Sequence, residues 1–179
     1  MRQTKIIIDE QFYVTTQLME KDVDSLVKWM NDDVIYANTL KIPKKYDREK
    51  GLCYFNFCKE KDEKFCKEMA FQIRNATNEM IGSIELLGIY DVNSHKEEIG
   101  YWIAKPYRGI GLMKKAIDVF TNYVLKHYLY VRLEATVFSY NVTSQKLIEK
   151  CGFNYEGTLK KAYFKDGKFI DAKLYALVK

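Results

Sequence analysis

A glycine-rich turn lies between a predicted strand and a predicted helix, in the segment Tyr107-Arg-Gly-Ile-Gly-Leu-Met113. Gly109 and Gly111 let the backbone turn tightly and leave its amide N–H groups uncovered. Together with the N-terminus of the helix, these amides favour an anion such as a pyrophosphate, and Arg108 adds a positive charge. Lys114 stands where the dinucleotide fingerprint has its third glycine, and no Gly-Lys-Ser/Thr of a P-loop follows. Considered alone, the motif is explained equally well by an ordinary strand-to-helix turn.

Three further motifs surround this turn in a fixed order: Glu98-Ile-Gly-Tyr-Trp-Ile-Ala104, Asn141-Val-Thr-Ser144 and Leu147-Ile-Glu-Lys-Cys-Gly-Phe153. Together with the turn they resemble the GNAT superfamily of acetyl-CoA-dependent N-acetyltransferases. The C-terminal segment 156–171 resembles the branch of ribosomal-protein N-terminal acetyltransferases, to which polyamine acetyltransferases are related. The resemblance is specific over residues 80–178, and the first 70 residues are compatible with it.

The resemblance implies acetyl-CoA as cosubstrate, without a metal. Backbone amides of the turn would hold the pyrophosphate, and pantetheine would run beside the preceding strand. Asn141 matches the asparagine that contacts the cofactor arm. The cofactor-binding residues implied are Tyr101, Trp102, Ile103, Arg108, Gly109, Ile110, Gly111, Leu112, Met113, Asn141 and Ser144.

The resemblance also implies two catalytic roles, for Glu98 and Ser144. Glu98 matches a strand glutamate that serves as general base in some members, and an ordinary solvent-facing carboxylate is the alternative. Many members protonate the leaving thiolate with a tyrosine, but Ile148 stands at that position. Ser144 is the expected substitute, with support of Asn141 or of the cofactor as its alternative. Glu97 is expected to point to the other face of the strand, into solvent.

The pKa of the acceptor amine bears on the substrate class. Making a protein α-amino group neutral at pH 7 costs about 1 kcal/mol, whereas a lysine or polyamine amine costs about 4.6 kcal/mol. An incomplete acid–base pair is therefore more tolerable for an α-amino acceptor. We expect acetyl transfer to a protein N-terminus, such as that of a ribosomal protein. A polyamine or other small-amine acetyltransferase is the first alternative, and a non-catalytic acyl-CoA sensor is the second.

Composition limits the remaining classes of function. The 179 residues predict one domain over 1–179. The net charge of +5 is spread among acidic residues, which argues against direct nucleic-acid readout. Four cysteines without metal-ligand spacing argue against a metal site. A leading apolar run of three residues and the lack of any membrane-length apolar stretch favour a cytoplasmic location.

Hydrophobic periodicity predicts the elements that must position these residues. The expected fold is α/β (α+β): a single GNAT-like domain with a mixed, mostly antiparallel twisted sheet of about seven strands flanked by about four helices. The C-terminal hairpin is rich in aromatic residues and could supply a homodimer contact. Predicted strands cover 11–18, 69–74, 80–89, 97–104, 131–138, 158–164 and 169–178, and predicted helices 22–30, 47–66, 112–127 and 141–150. Asp22 is expected to cap the first helix, residues 31–46 to form a loop, and Leu52 and Phe55 to be buried.

Overall fold

The computed structural model describes residues 3–65, 67–88 and 95–179. The strands there are β1 (Lys5–Ile7), β2 (Phe12–Thr15), β3 (Ala70–Asn75), β4 (Met80–Leu86), β5 (Lys96–Ile103), β6 (Arg132–Phe138), β7 (Asn154–Lys165) and β8 (Lys168–Val178). The α-helices are α1 (Asp22–Met30), α2 (Asp33–Ala37), α3 (Arg48–Phe65), α4 (Leu112–His127) and α5 (Val142–Lys150), and a 3₁₀ turn covers Lys105–Tyr107.

The strands form one mixed sheet in the order β1-β2-β3-β4-β5-β6-β8-β7. The pairs β1–β2, β2–β3, β3–β4, β6–β8 and β7–β8 are antiparallel, and β5–β6 is parallel. The predicted fold class is therefore confirmed. In the described ranges the structure adds β1 to the seven predicted strands and α2 to the four predicted helices.

The chain divides into two compact units, and the first comprises residues 1–86 and 101–120. Alternation along β3 places Phe71 on one face of the sheet, against Phe120 of α4, with ring centroids 5.0 Å apart. Gln72 and Arg74 lie on the other face, which is also fully buried. A cluster on α1, α2 and β4 includes the buried Leu26 and Met80.

The second unit comprises residues 87–100 and 121–179. Its main feature is the long β7–β8 hairpin, whose turn has Asp166 and Gly167 at positive φ. This geometry matches the predicted tight hairpin turn. Gly152 has a φ of +85° just after α5, as expected for a left-handed helix end. The prediction of a single domain over 1–179 stays a prediction.

Several local predictions were wrong. Asp22 does not cap α1: it is the first residue of the helix, fully buried and paired with Arg74. The segment 31–46 contains α2, which begins after Asp32 because that side chain accepts a hydrogen bond from the Ile35 N–H. Leu52 is 38% exposed, whereas Phe55 is buried as predicted.

The first predicted strand is also shorter in the structure than the sequence pattern indicated. Only Phe12–Thr15 of the segment 11–18 forms β2, which pairs with the short strand β1. The strand predicted to reach residue 89 ends at Leu86. Cys66, the last residue of the predicted helix 47–66, and residues 89–94, which include the end of the predicted strand 80–89, lie outside the described residues.

Two kinds of feature do not occur in the described ranges. None of the helices combines the length and the apolar composition that crossing a membrane requires. No group of three or more His, Cys, Asp or Glu side chains is arranged to hold a metal ion.

Candidate active site

The glycine-rich turn presents unused backbone donors in the first unit. Gly109 and Gly111 have φ values of +78° and +81°, which L side chains rarely adopt, and α4 begins directly after them. A Cβ added at either glycine would meet nothing within 4 Å. Within the described part of the chain, no acceptor faces the N–H groups of residues 109–113. Open space, unpaired N–H groups and a helix N-terminus together fit an anionic phosphate group.

The basic side chains of this turn are already paired. The guanidinium of Arg108 contacts the Asp32 carboxylate at 3.1–3.2 Å and donates to the Ile103 carbonyl at 3.1 Å. Lys114 pairs with Asp118 at 2.5 Å, and Lys115 pairs with Asp9 at 3.0 Å. Arg108 therefore anchors the turn to the N-terminus of α2, and its contact with a phosphate stays a prediction. The anion-binding capacity of the turn lies in its backbone.

The C-terminal end of β5 carries the predicted pantetheine residues Tyr101, Trp102 and Ile103. Trp102 is 7% exposed, and its indole Nε1 has no hydrogen-bond partner in the part of the chain described. Ala104 donates its N–H to the Ile81 carbonyl of β4, which fixes the end of the strand. The pairing of pantetheine with this strand remains a prediction.

The remaining predicted site residues, Glu98, Asn141 and Ser144, belong to the second unit. Glu98 is half-buried on β5, in register with Glu134 of the parallel strand β6. Burial raises the pKa of Glu98, the Glu134 charge adds to this rise, and hydrogen bonding to Thr136 partly offsets it. Lys96 and Arg132 bind the Glu134 carboxylate. A carboxylate whose pKa is raised is a stronger proton acceptor, as a general base requires.

The neighbouring Glu97 is fully buried, and the prediction of a solvent-facing side chain was therefore wrong. Its carboxylate accepts hydrogen bonds from the N–H groups of Gly88 (2.9 Å) and Glu98 (3.0 Å) and from the Tyr130 hydroxyl (3.2 Å). These donors offset the cost of burying the charge. Strand alternation correctly separates the two glutamates, but the Glu97 face is covered rather than exposed.

Asn141 caps α5. Its Oδ1 accepts a hydrogen bond from the Ser144 N–H at 3.1 Å, which places Ser144 at the third position of the helix. Ser144 is half-buried, and Ile148 is fully buried on the same helix. Capping accounts for Asn141 structurally. Its contact with a cofactor and the proton-donor role of Ser144 stay predictions.

The first unit contains a polar cluster that the sequence patterns did not predict. Glu85 of β4 accepts hydrogen bonds at Oε1 from the Tyr54 hydroxyl of α3 and from the Ser83 hydroxyl, the latter at 3.3 Å. Burial raises the pKa of the nearby Cys58 thiol, which makes this cysteine a poor nucleophile. The signal in the sequence is the spacing of Ser83 and Glu85, because residues two apart on a strand share one face.

The sequence and the fold define an acetyltransferase of the GNAT type. The family model described as the acetyltransferase (GNAT) domain matches residues 15–154, and the chain belongs to this family. The match covers parts of both compact units.

Curated relatives are similar to this chain over part of their length. An uncharacterized N-acetyltransferase of Bacillus subtilis, the SPbeta prophage-derived YokL, is 31% identical over 114 residues, which is 63% of each chain. The ribosomal-protein-serine acetyltransferase of Escherichia coli is 29% identical over 56% of each chain. The spermidine N(1)-acetyltransferase of Vibrio cholerae is 28% identical over 59% of this chain and 61% of its own. The chain thus spans less than two thirds of the length of these relatives.

Solved structures share the fold at low sequence identity. The ribosomal L7/L12 α-N-protein acetyltransferase RimL in complex with coenzyme A has a TM-score of 0.85 and 18% identity, over 98% of both chains. The microcin C7 self-immunity acetyltransferase MccE in complex with acetyl-CoA and AMP has a TM-score of 0.83 and 18% identity, over 96% of this chain and 94% of its own.

Proposed function

We propose that this protein transfers an acetyl group from acetyl-CoA to a primary amine, and that its acceptor is the α-amino group of a protein N-terminus. One observation carries the proposal: the unpaired N–H groups of residues 109–113 at the start of α4, in a member of the GNAT family. These amides can hold the phosphates of coenzyme A without any basic side chain.

The residues of the chain have distinct parts in the reaction. Bound acetyl-CoA supplies the acetyl group as a thioester, so that a C–N bond forms and a C–S bond breaks. Glu98 accepts the proton that the amine nitrogen loses, directly or through a water molecule. Ser144 donates its hydroxyl proton to the departing sulfur and regains a proton from solvent, to which Glu98 releases the proton that it accepted. Gly109 and Gly111 keep the turn in the conformation that presents its amides.

The acceptor class is supported by the relatives and by the chemistry of amines. RimL and the ribosomal-protein-serine acetyltransferase are named for protein acceptors. Glu98, whose pKa is raised, can serve as one general base. A protein α-amino group needs about 3.5 kcal/mol less free energy than a lysine-type amine to become neutral at pH 7. The spermidine relative favours a polyamine as the second candidate. A cytoplasmic location and a homodimer stay predictions.

The test is intact-mass detection of acetylation with acetyl-CoA and a panel of acceptors. The panel contains peptides that begin with Ser, Ala or Met, a lysine peptide with a blocked N-terminus, and spermidine. We expect modification only of the peptides with a free N-terminus. Acetylation of spermidine alone would instead favour the polyamine class. Coenzyme A binding without any product would favour a sensor, and no binding would contradict the proposal.

Glu98→Gln and Ser144→Ala test the two catalytic roles. In Glu98→Gln, loss of the general base lowers kcat about 10²- to 10⁴-fold, while the Kd for coenzyme A stays unchanged. Thr143→Ala on the exposed side of α5 is the matched control for Ser144, and Glu149→Gln is the control for Glu98. An unchanged kcat in Glu98→Gln would assign the base to another group.

A further inference from the structure

The carboxylate of Glu85 is only partly used by the protein. Its Oε1 accepts the hydroxyls of Tyr54 and Ser83, while Oε2 accepts no hydrogen bond from the described residues. No lysine, arginine or histidine of the described ranges lies within ion-pair distance of it. Lys61 of α3 instead donates to the Leu86 carbonyl. Glu85 is therefore a half-buried carboxylate that has no cationic partner among the described residues.

This charge affects the groups around it. The Glu85 carboxylate raises the pKa of Tyr46, of Tyr54 and of the Cys58 thiol, in each case in addition to the larger effect of burial. All three groups would become anionic on losing a proton, which a nearby carboxylate disfavours. Tyr46 and Tyr54 belong to or pack against the buried cluster that contains Trp102. The Glu85 carboxylate thus lies in aromatic, half-buried surroundings.

A second polar group without a hydrogen-bond partner among the residues described lies on the same face of the sheet as this carboxylate. Gln72 of β3 is the register partner of Ser83, whose hydroxyl binds Glu85. Gln72 is fully buried, and neither its Oε1 nor its Nε2 has a hydrogen-bond partner among the residues described. Buried amides are almost always paired, so a buried amide without a partner among the described residues, on the same sheet face as a carboxylate that is only partly used, indicates a place for a polar ligand.

We propose that Glu85, Tyr54, Ser83 and Gln72 form an ammonium-binding site that receives the acceptor of the transfer reaction in its protonated form. The free Oε2 of Glu85 can accept a charge-assisted hydrogen bond from the ammonium, and the Gln72 carbonyl can accept a second. The phenol rings of Tyr46 and Tyr54 suit a cation. The identification of the ligand with the acceptor rests on the proposed function, whereas the binding of an ammonium does not.

The test measures binding without acetyl-CoA, so its result does not depend on whether acetyl transfer occurs. The probe is n-butylammonium, and 1-butanol is its neutral counterpart. Trp29 and Trp102, the two tryptophans of the chain, both belong to or pack against the cluster that Tyr54 contacts, so their fluorescence reports binding. We expect saturable binding of n-butylammonium and at least tenfold weaker binding, about 1.4 kcal/mol, in Glu85→Gln.

The matched control is Glu79→Gln, because Glu79 lies in the same unit and is already paired with Lys28 at 2.7 Å. Its Kd for n-butylammonium should equal that of the wild type. Glu85→Asp serves as a second variant should Glu85→Gln fail to fold, and its shorter side chain should weaken binding about fivefold. The proposal would be overturned if the wild type and both Glu85 variants bound n-butylammonium with equal affinity. It would also be overturned if the wild type bound 1-butanol as tightly as n-butylammonium, or showed no saturable binding of n-butylammonium.

Discussion

Glu97 of the second unit and Glu85 of the first unit differ in how completely their carboxylates are hydrogen-bonded. In the second unit, Glu97 is fully buried and receives donors from Gly88, Glu98 and Tyr130. In the first unit, Glu85 has hydroxyl donors on one oxygen and an open second oxygen. A carboxylate that is fully satisfied by its own chain holds the structure together, whereas one left partly unsatisfied retains capacity for a ligand.

The first unit also contains a buried charge that is paired with an opposite charge. Arg74 of β3 binds both oxygens of Asp22 at 2.8 and 2.6 Å and donates to the carbonyls of Gln17 and Asn78. At most 1% of either side chain is exposed to solvent. The contrast with Glu85 is therefore a difference between sites, and it does not follow from the unit in which a charge lies.

Breaking the Asp22–Arg74 pair should have the largest effect. Asp22→Ala leaves the guanidinium of Arg74 buried without its carboxylate, which costs about 3–5 kcal/mol of the free energy of unfolding. Urea unfolding followed by circular dichroism measures the loss. The exposed Lys28–Glu79 pair is the control, and Glu79→Gln should cost less than about 1 kcal/mol. A loss below 1 kcal/mol in Asp22→Ala would contradict a structural role for this pair.

Substitutions of Glu97 and Glu85 test whether the two carboxylates differ in their contribution to stability. Glu97→Ala leaves three donors unpaired, and at about 1 kcal/mol each, the lower end of the usual range, we expect a total loss of about 3 kcal/mol of unfolding free energy. Glu85→Gln should cost less than about 1 kcal/mol, because the amide oxygen can still accept the hydroxyls of Tyr54 and Ser83. Similar losses in the two variants, measured by urea unfolding, would remove the distinction.

These contrasts mark the limit of what the sequence reveals. Periodicity predicts α4 with its observed bounds and places the β7–β8 hairpin turn correctly, because amphipathic spacing and Asp-Gly chemistry are local. The Gly109 and Gly111 turn is predictable for the same reason. The buried state of Glu97 and the pairing of Asp22 with Arg74 depend on partners tens of residues away.

The features of the candidate sites also differ in whether the sequence predicts them. Strand alternation separates Glu97 from Glu98, but it cannot tell which face of a strand is covered by protein. The Tyr54–Glu85 contact joins residues 31 positions apart, and no local pattern signals it. That no cation of the described ranges pairs with Glu85 is likewise a property of the folded surroundings alone.

The left-handed glycines allow a sharper comparison between the units. Gly111→Ala and Gly152→Ala place a Cβ at φ values of +81° and +85°, with no neighbour within 4 Å in the first case and Leu177 at 3.7 Å in the second. Each should cost about 1–2 kcal/mol of stability through backbone strain. Gly111→Ala alone should also weaken coenzyme A binding, measured by calorimetry. Equal weakening in both variants would mean that general destabilisation is responsible.

The smallest effect concerns the Glu98 charge and depends on pH. Because the native pKa of Glu98 lies above its ordinary value of 4.5, the native state holds this proton more tightly than the unfolded state does. Ionisation of Glu98 therefore costs stability, and the cost develops as the pH rises from about 4.5 through the raised native pKa. Glu98→Gln should be slightly more stable than the wild type at pH 7, by less than about 1 kcal/mol, and should lose this advantage below pH 4.

Urea unfolding of both proteins across this pH range measures the difference, and Glu149→Gln controls for the loss of one negative charge elsewhere on the second unit. The gain should vary with pH only in the Glu98 variant. If Glu98→Gln instead lost stability as the pH rose, Glu98 would be a carboxylate whose ionised form is stabilised by its surroundings. Such a residue would be a weaker base, because a carboxylate stabilised in its ionised form holds a proton less well.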